Sequence, residues 1–385
     1  SFIKFVLDRL YIKSTLVFMR NTSKYPKKYF EKMRRKKMKK NNLFMYATSE
    51  LSQDAFICWL MNFAHKDHLN EDVVLTNCAK ELLSKIIRTG EDLTVTDIKR
   101  QYKNIDVLLE VNSKYHIIIE DKTFSGQHDD QIERYRMALK DKGKDNIICV
   151  YYKIVEQAFD EKTDVNITRL DLITLFSKYI NKSQNNIFND YYDYLLAIDK
   201  DVKSYQSTPI EEWRIDYNHA YKGFFTHLIK EGIIQTDRYY GWGYVPNQSS
   251  GFWGLQWFYL KREELDACFQ SGALDALYLQ IEDNVIAVKM AKTESTDSTV
   301  AIRWNLYDYF KSKTPEFNKK PFRKGKWMTV GYIQYNEKNY KEKIQLMQGV
   351  MQSIVDGDYK KWCNNIGVVE PLRETDDTDL ECAFE

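Results

Sequence analysis

The chain has 385 residues, enough for two modest domains, and its 43% apolar content can fill real cores. No run of eighteen apolar residues occurs, which argues against a membrane-spanning helix, and six scattered Cys without C-x-x-C spacing fit free thiols of a reducing cytoplasm better than a zinc site or disulfide framework. The net charge of +2 hides an asymmetry: residues 1–40 carry fourteen Lys/Arg and two acidic residues, leaving 43 basic and 53 acidic residues for the remainder.

Residues 1–45 read as a basic N-terminal extension. Its densest part, Lys24 to Lys40, is either an arm that grips phosphates or a non-catalytic tail, including one translated from a start upstream of Met38 or Met45. Thr48 to Phe63 opens with cap-type residues and places Phe56, Trp59, Leu60 and Phe63 at helical spacing, with Glu50 in the first turn. His65 and His68 beyond it lack a third ligand and do not make a metal site. Leu93 to Tyr102 alternates weakly and supplies a strand.

Residues 104–122, NIDVLLEVNSKYHIIIEDK, predict two strands joined by a tight turn at Asn112-Ser113-Lys114. If Val111 faces Tyr115, Leu108 meets Ile118, Leu109 meets Ile117 and Val107 meets Ile119. Asp106 then lies opposite Glu120, with Lys122 on the same face. Two facing carboxylates repel, a cost that a divalent cation between them reverses. An oxygen-ligand pair beside an ammonium is what metal-assisted phosphodiester hydrolysis needs.

Downstream, Gly126 to Leu139 is a helix start followed by a helix, on which Gln131 and Tyr135 share a face. Asn146 to Tyr152 reads as a buried strand, and Leu170 to Tyr179 and Asn186 to Lys203 as helices. A turn at Ser207-Thr208-Pro209 marks the boundary between domains expected at 46–205 and 206–370. The second domain offers short strands at Gly241–Val245, Phe252–Tyr259, Leu277–Ile281, Val285–Lys289, Val300–Trp304 and Trp327–Tyr335, then a helix with Ile344, Met347, Met351 and Ile354 on one stripe. Its aromatic residues suit sheet packing better than base stacking. Residues 371–385 form an acidic tail.

Ile105-Asp106 and Glu120-Asp121-Lys122 together resemble the two halves of the PD-(D/E)xK nuclease motif, with Ile105 standing where the family name has Pro. The resemblance implies an α/β restriction-endonuclease-like core, a mixed sheet flanked by helices, followed here by an α+β domain with an antiparallel meander. It implies that Asp106, Glu120 and the backbone carbonyl of Asp121 bind Mg²⁺, for which Mn²⁺ substitutes. Lys122 would orient or help deprotonate the attacking water, and Glu50 would be a third acidic group, reaching the metal directly or through water. The Gln131-x-x-x-Tyr135 spacing resembles that of the RecB-like branch, where the helix borders the active site and contacts substrate. The combination is also similar to a bacterial group of PD-(D/E)xK-like proteins with a β-rich C-terminal domain.

The expectation is therefore a Mg²⁺-dependent cytoplasmic nuclease acting on DNA, in restriction, defence or DNA processing, with no membrane partner. A homodimer would suit double-strand cutting, and a protein partner is left open. The alternative is a non-catalytic nucleic-acid- or protein-binding module that keeps the nuclease fold. A carboxylate-pair glycosidase fits less well, because directly opposed strand residues stand closer than its usual spacing of about 5 Å or more.

Overall fold

The computed structural model describes residues 41–122, 131–158, 163–216, 218–246, 251–321 and 324–366. Residues 1–40 of the expected basic extension and all of the acidic tail lie outside these residues, whereas Leu43–Met45 form a 3₁₀ turn whose Phe44 and Met45 are buried in the first unit's core. The chain divides into two compact units, one ending at Ser204 and the other taken up again at Tyr205.

The first unit begins with α1 (Glu50–Asn62), started by the Ser49 side chain, which accepts from the Ser52 N–H. Next comes α2 (Val73–Ile87), capped by Asp72 and closed by Arg88 in the left-handed region. Strands β1 (Val95–Tyr102), β2 (Ile105–Val111) and β3 (Tyr115–Lys122) follow, then α3 (Gln131–Lys140), β4 (Ile147–Lys153), β5 (Val165–Thr168), α4 (Arg169–Phe176) and α5 (Asn186–Lys203). The sheet order is β1-β2-β3-β4-β5. The first three strands run antiparallel, while β3-β4 and β4-β5 are parallel.

Strand β3 is central and covered on both sides, which is why Tyr115 to Lys122 shows an unbroken apolar run before its acids. Val107, Leu109, Ile117 and Ile119 pack with the α1, α2, α4 and α5 residues Leu60, Leu83, Phe176 and Tyr191. Leu108, Ile118, Cys149 and Tyr151 pack with Ile132 and Leu139 of α3. Burying each such side chain contributes on the order of 2 kcal/mol.

The second unit carries α6 (Ile210–Asp216), α7 (Asn218–Lys230), β6 (Gly241–Val245), β7 (Phe252–Trp257), α8 (Arg262–Cys268), β8 (Ala276–Glu282), β9 (Val285–Ala291), α9 (Asp297–Lys313), β10 (Trp327–Gln334), α10 (Tyr340–Val355) and α11 (Asp358–Asn365). Its sheet is wholly antiparallel in the order β10-β9-β8-β7-β6. The stripe of Ile344, Met347, Met351 and Ile354 on α10 is buried, as its spacing predicts.

One expected strand is a helix. Val300 to Trp304 lies within α9, whose N-cap Thr296 pairs with Thr299, and whose buried Thr299, Arg303, Leu306 and Phe310 recur with helical period. A five-residue apolar alternation does not distinguish strand from helix; the cap four residues earlier does. Strand β9 pairs directly with β10, so the sheet has no place for the segment.

Candidate active site

The β2-β3 hairpin turns on Asn112 and Ser113, both with positive φ (52° and 49°), and the Lys114 N–H donates to Val111 O at 3.0 Å. This turn fixes the register: Val107 pairs with Ile119, Leu108 with Ile118 and Val111 with Tyr115. One step further the regular pairing gives way to a side-chain contact, as the Asp121 N–H donates to Asp106 Oδ2 at 3.0 Å. Asp106 and Glu120 are thus brought together with Lys122 between them. The ammonium lies 2.7 Å from Glu120 Oε1 and 3.5 Å from Asp106 Oδ2.

Electrostatics follow from burial. The Glu120 side chain is fully buried, and desolvation pushes its carboxyl up to about 7, against the pull of Lys122 and helped by Asp106 and Glu50. Burial alone would lower Lys122, yet Glu120, Asp106 and Glu50 more than offset it and raise it, so the side chain stays an ammonium at neutral pH.

Helix α1 supplies the wall behind the acids. Glu50, Gln53 and Asp54 are spaced i, i+3, i+4 and share a face. Gln53 donates to Asp121 Oδ1 and accepts from the Tyr191 hydroxyl at 3.1 Å; Tyr152 lies 3.1 Å beyond. Gln101 Nε2 donates both to Asp54 Oδ2 (2.8 Å) and to Asp106 Oδ1 (3.1 Å), orienting the catalytic candidate from β1. Burial and then Asp106 push Asp54 up to about 6; burial and then Asp54 push Asp121 well above the carboxylate range. Asp54 Oδ1 and Asp121 Oδ2 receive no hydrogen bond from neighbouring donors among the described residues, and a proton held between the two carboxyls relieves both. Replacing Tyr191 with Phe breaks the buried chain to Gln53, and is expected to cost about 1–2 kcal/mol in urea unfolding.

Residues 41–219 match the family model of the PD-(D/E)XK nuclease superfamily. Over these residues the chain is similar to that superfamily. No curated protein and no solved structure gives a match.

For a PD-(D/E)XK nuclease, the sequence-predicted residues divide into three groups. Lys122 contacts both Asp106 and Glu120, and the charge of Glu50 reaches Glu120, Asp121 and Lys122. Tyr135 spends its hydroxyl on the Asn104 carbonyl at 2.6 Å, which ties α3 to the β1-β2 turn. The Gln131 side chain lies outside the described residues, as does Gly126 to Asp130.

PD-(D/E)XK nucleases generally use divalent metal ions. Among the described residues no three His, Cys, Asp or Glu side chains are grouped to hold one. The donors nevertheless fit a hard cation: they are all oxygens, and Glu120 Oε2 is buried with no hydrogen-bond partner among the described residues. Asp106 and Glu120 with the Asp121 carbonyl would hold the ion, and Glu50 would reach it directly or through water.

The residues missed in the sequence are Gln53, Asp54, Gln101, Tyr152 and Tyr191. For the first two a signal existed, since they follow Glu50 at helical spacing. The others arrive from elements far apart in the chain and carry no local mark.

Proposed function

We propose that the chain is a Mg²⁺-dependent nuclease that hydrolyses DNA phosphodiester bonds, with Asp106, Glu120 and Lys122 as its catalytic residues. The observation that carries this reading is the Lys122 ammonium held between two carboxylates at the end of the hairpin. A bound divalent ion supplies charge stabilisation on the scissile phosphate and lowers the pKa of a bound water.

The protein's own side chains do the rest. Asp106 is pre-oriented by the Asp121 N–H and Gln101, so it does not need to be ordered when a ligand arrives. Lys122 enters as a positive charge rather than a base, because its neighbours favour the protonated form. It is suited to hold the attacking water or a phosphate oxygen and to offset developing negative charge. Glu50 adds negative charge that favours a cation in the same place.

A second reading, a binding module that keeps the nuclease fold, is favoured by one observation: Lys122 already neutralises the acid pair. Incubation with circular, linear and single-stranded DNA and with RNA, in Mg²⁺, Mn²⁺ or EDTA, separates the two. The nuclease reading predicts metal-dependent cleavage of DNA that falls by about 10²–10³-fold in Lys122→Ala, in line with the loss of one transition-state charge contact. Cleavage of RNA alone would correct the substrate. Unaltered activity in Lys122→Ala would remove the residue from the mechanism.

A further inference from the structure

Beside the acids, three lysines converge on one ring. Lys99, Lys103 and Lys142 place their ammonium groups 5.5, 5.6 and 5.4 Å from the centre of the Tyr102 ring, and Lys142 Nζ lies 3.5 Å from its hydroxyl. Lys99 is paired with Asp97 at 2.5 Å. Lys103 and Lys142 are exposed, and among the described residues no carboxylate pairs with either. Two like charges gathered at a surface without a counter-charge are unfavourable until an anion joins them.

The backbone points the same way. Tyr102 pairs with Ile105, so Lys103-Asn104 is the two-residue link of a hairpin, with φ of 52° and 68°. Such a turn selects Asn, Asp or Gly for positive φ. The second position obeys this rule and the first does not: a lysine stands where its Cβ is strained. The Tyr135 hydroxyl fastens this turn to α3, and the preceding Gln101, also at φ 52°, reaches Asp106.

Tyr102 packs with Ile105, Leu108 and Ile118 on the α3 side of the sheet. Strand alternation puts Glu120 and Lys122 on the same side as Ile118. Lys103 stands in the turn that leads into β2, three residues before Asp106 in the chain.

We propose that Lys103 and Lys142, with Tyr102 as their shared floor, grip phosphates of the nucleic-acid strand on its approach to the bond to be cut. This rests on the nuclease reading and adds to it a path for the strand. The lysines supply charge, and the turn that carries Lys103 leads directly into the strand that carries Asp106.

Binding of a fluorescein-labelled single-stranded DNA, followed by anisotropy in EDTA over a range of salt, tests this without cleavage. Lys103→Asn with Lys142→Gln should lower the salt slope by about 1.4 and weaken binding on the order of tenfold at 0.1 M salt. The melting temperature should hold or rise, because Asn suits the turn better than Lys. Removing two exposed lysines elsewhere, Lys66→Gln with Lys182→Gln, should leave the slope nearly unchanged. Equal losses in both pairs, or wild-type affinity in the first, would overturn the anchor while the nuclease reading stands. No DNA binding by the wild type at any salt would overturn the anchor, whereas the nuclease reading falls only if cleavage in Mg²⁺ is absent too.

Discussion

Replacing Lys122 with Met is expected to abolish cleavage and to lower the stability of the first unit by about 3 kcal/mol at pH 8. The loss comes from Glu120, whose side chain is fully buried and would face no cation. In the wild type this carboxyl is already raised from 4.5 to about 7, by burial first. A carboxyl raised on folding favours the fold while protonated, and its contribution declines as pH climbs from about 4.5 to about 7. Without Lys122 the folded value rises further, so the decline continues above pH 7. The deficit of the variant should therefore be wide at pH 8 and nearly closed at pH 5. Urea unfolding at the two pH values measures it. An equal deficit at both would mean that Lys122 stabilises through packing of its stem rather than through Glu120.

Millimolar Mg²⁺ is expected to stabilise the same unit at pH 8 and not at pH 5.5. An ion present at a hundred times its dissociation constant adds about 2.7 kcal/mol, a rise of roughly 5–10 °C in melting temperature for a unit of this size. Glu120 must give up its proton to bind, and its value of about 7 places the change between pH 6 and 8. Proton release on binding should appear as a dependence of the binding heat on buffer ionisation enthalpy. Asp106→Ala should remove the stabilisation at pH 8. Stabilisation that persists in that variant would locate the ion elsewhere.

The hairpin was legible in the sequence because β-structure obeys a strict two-residue period, and a short turn leaves one register that keeps Val107, Leu109, Ile117 and Ile119 on a common face. Asp106, Glu120 and Lys122 followed from that register alone. Helix α1 is legible from its cap and apolar spacing, but its polar face suggests only Glu50, although Gln53 donates to Asp121 and Asp54 shares Gln101 with Asp106. Gln101, Tyr152 and Tyr191 depend on which strand and helix lie beside β3, and no local pattern carries that. The Val300–Trp304 segment failed for a related reason: what makes it helical is a cap upstream and a sheet with no vacancy, both outside the window read. Tyr135 shows a third kind of gap. Its spacing from Gln131 was visible, yet its partner, a carbonyl in the β1-β2 turn, was not.

The most direct measurement compares DNA cleavage by the wild type, Asp106→Asn and Glu120→Gln in Mg²⁺, each checked for folding by circular dichroism and each repeated in EDTA. Metal-dependent cleavage by the wild type, with both folded variants slowed by at least about 10³-fold, is the expected result. Cleavage by either variant at the wild-type rate would contradict the assignment of the active centre to this hairpin.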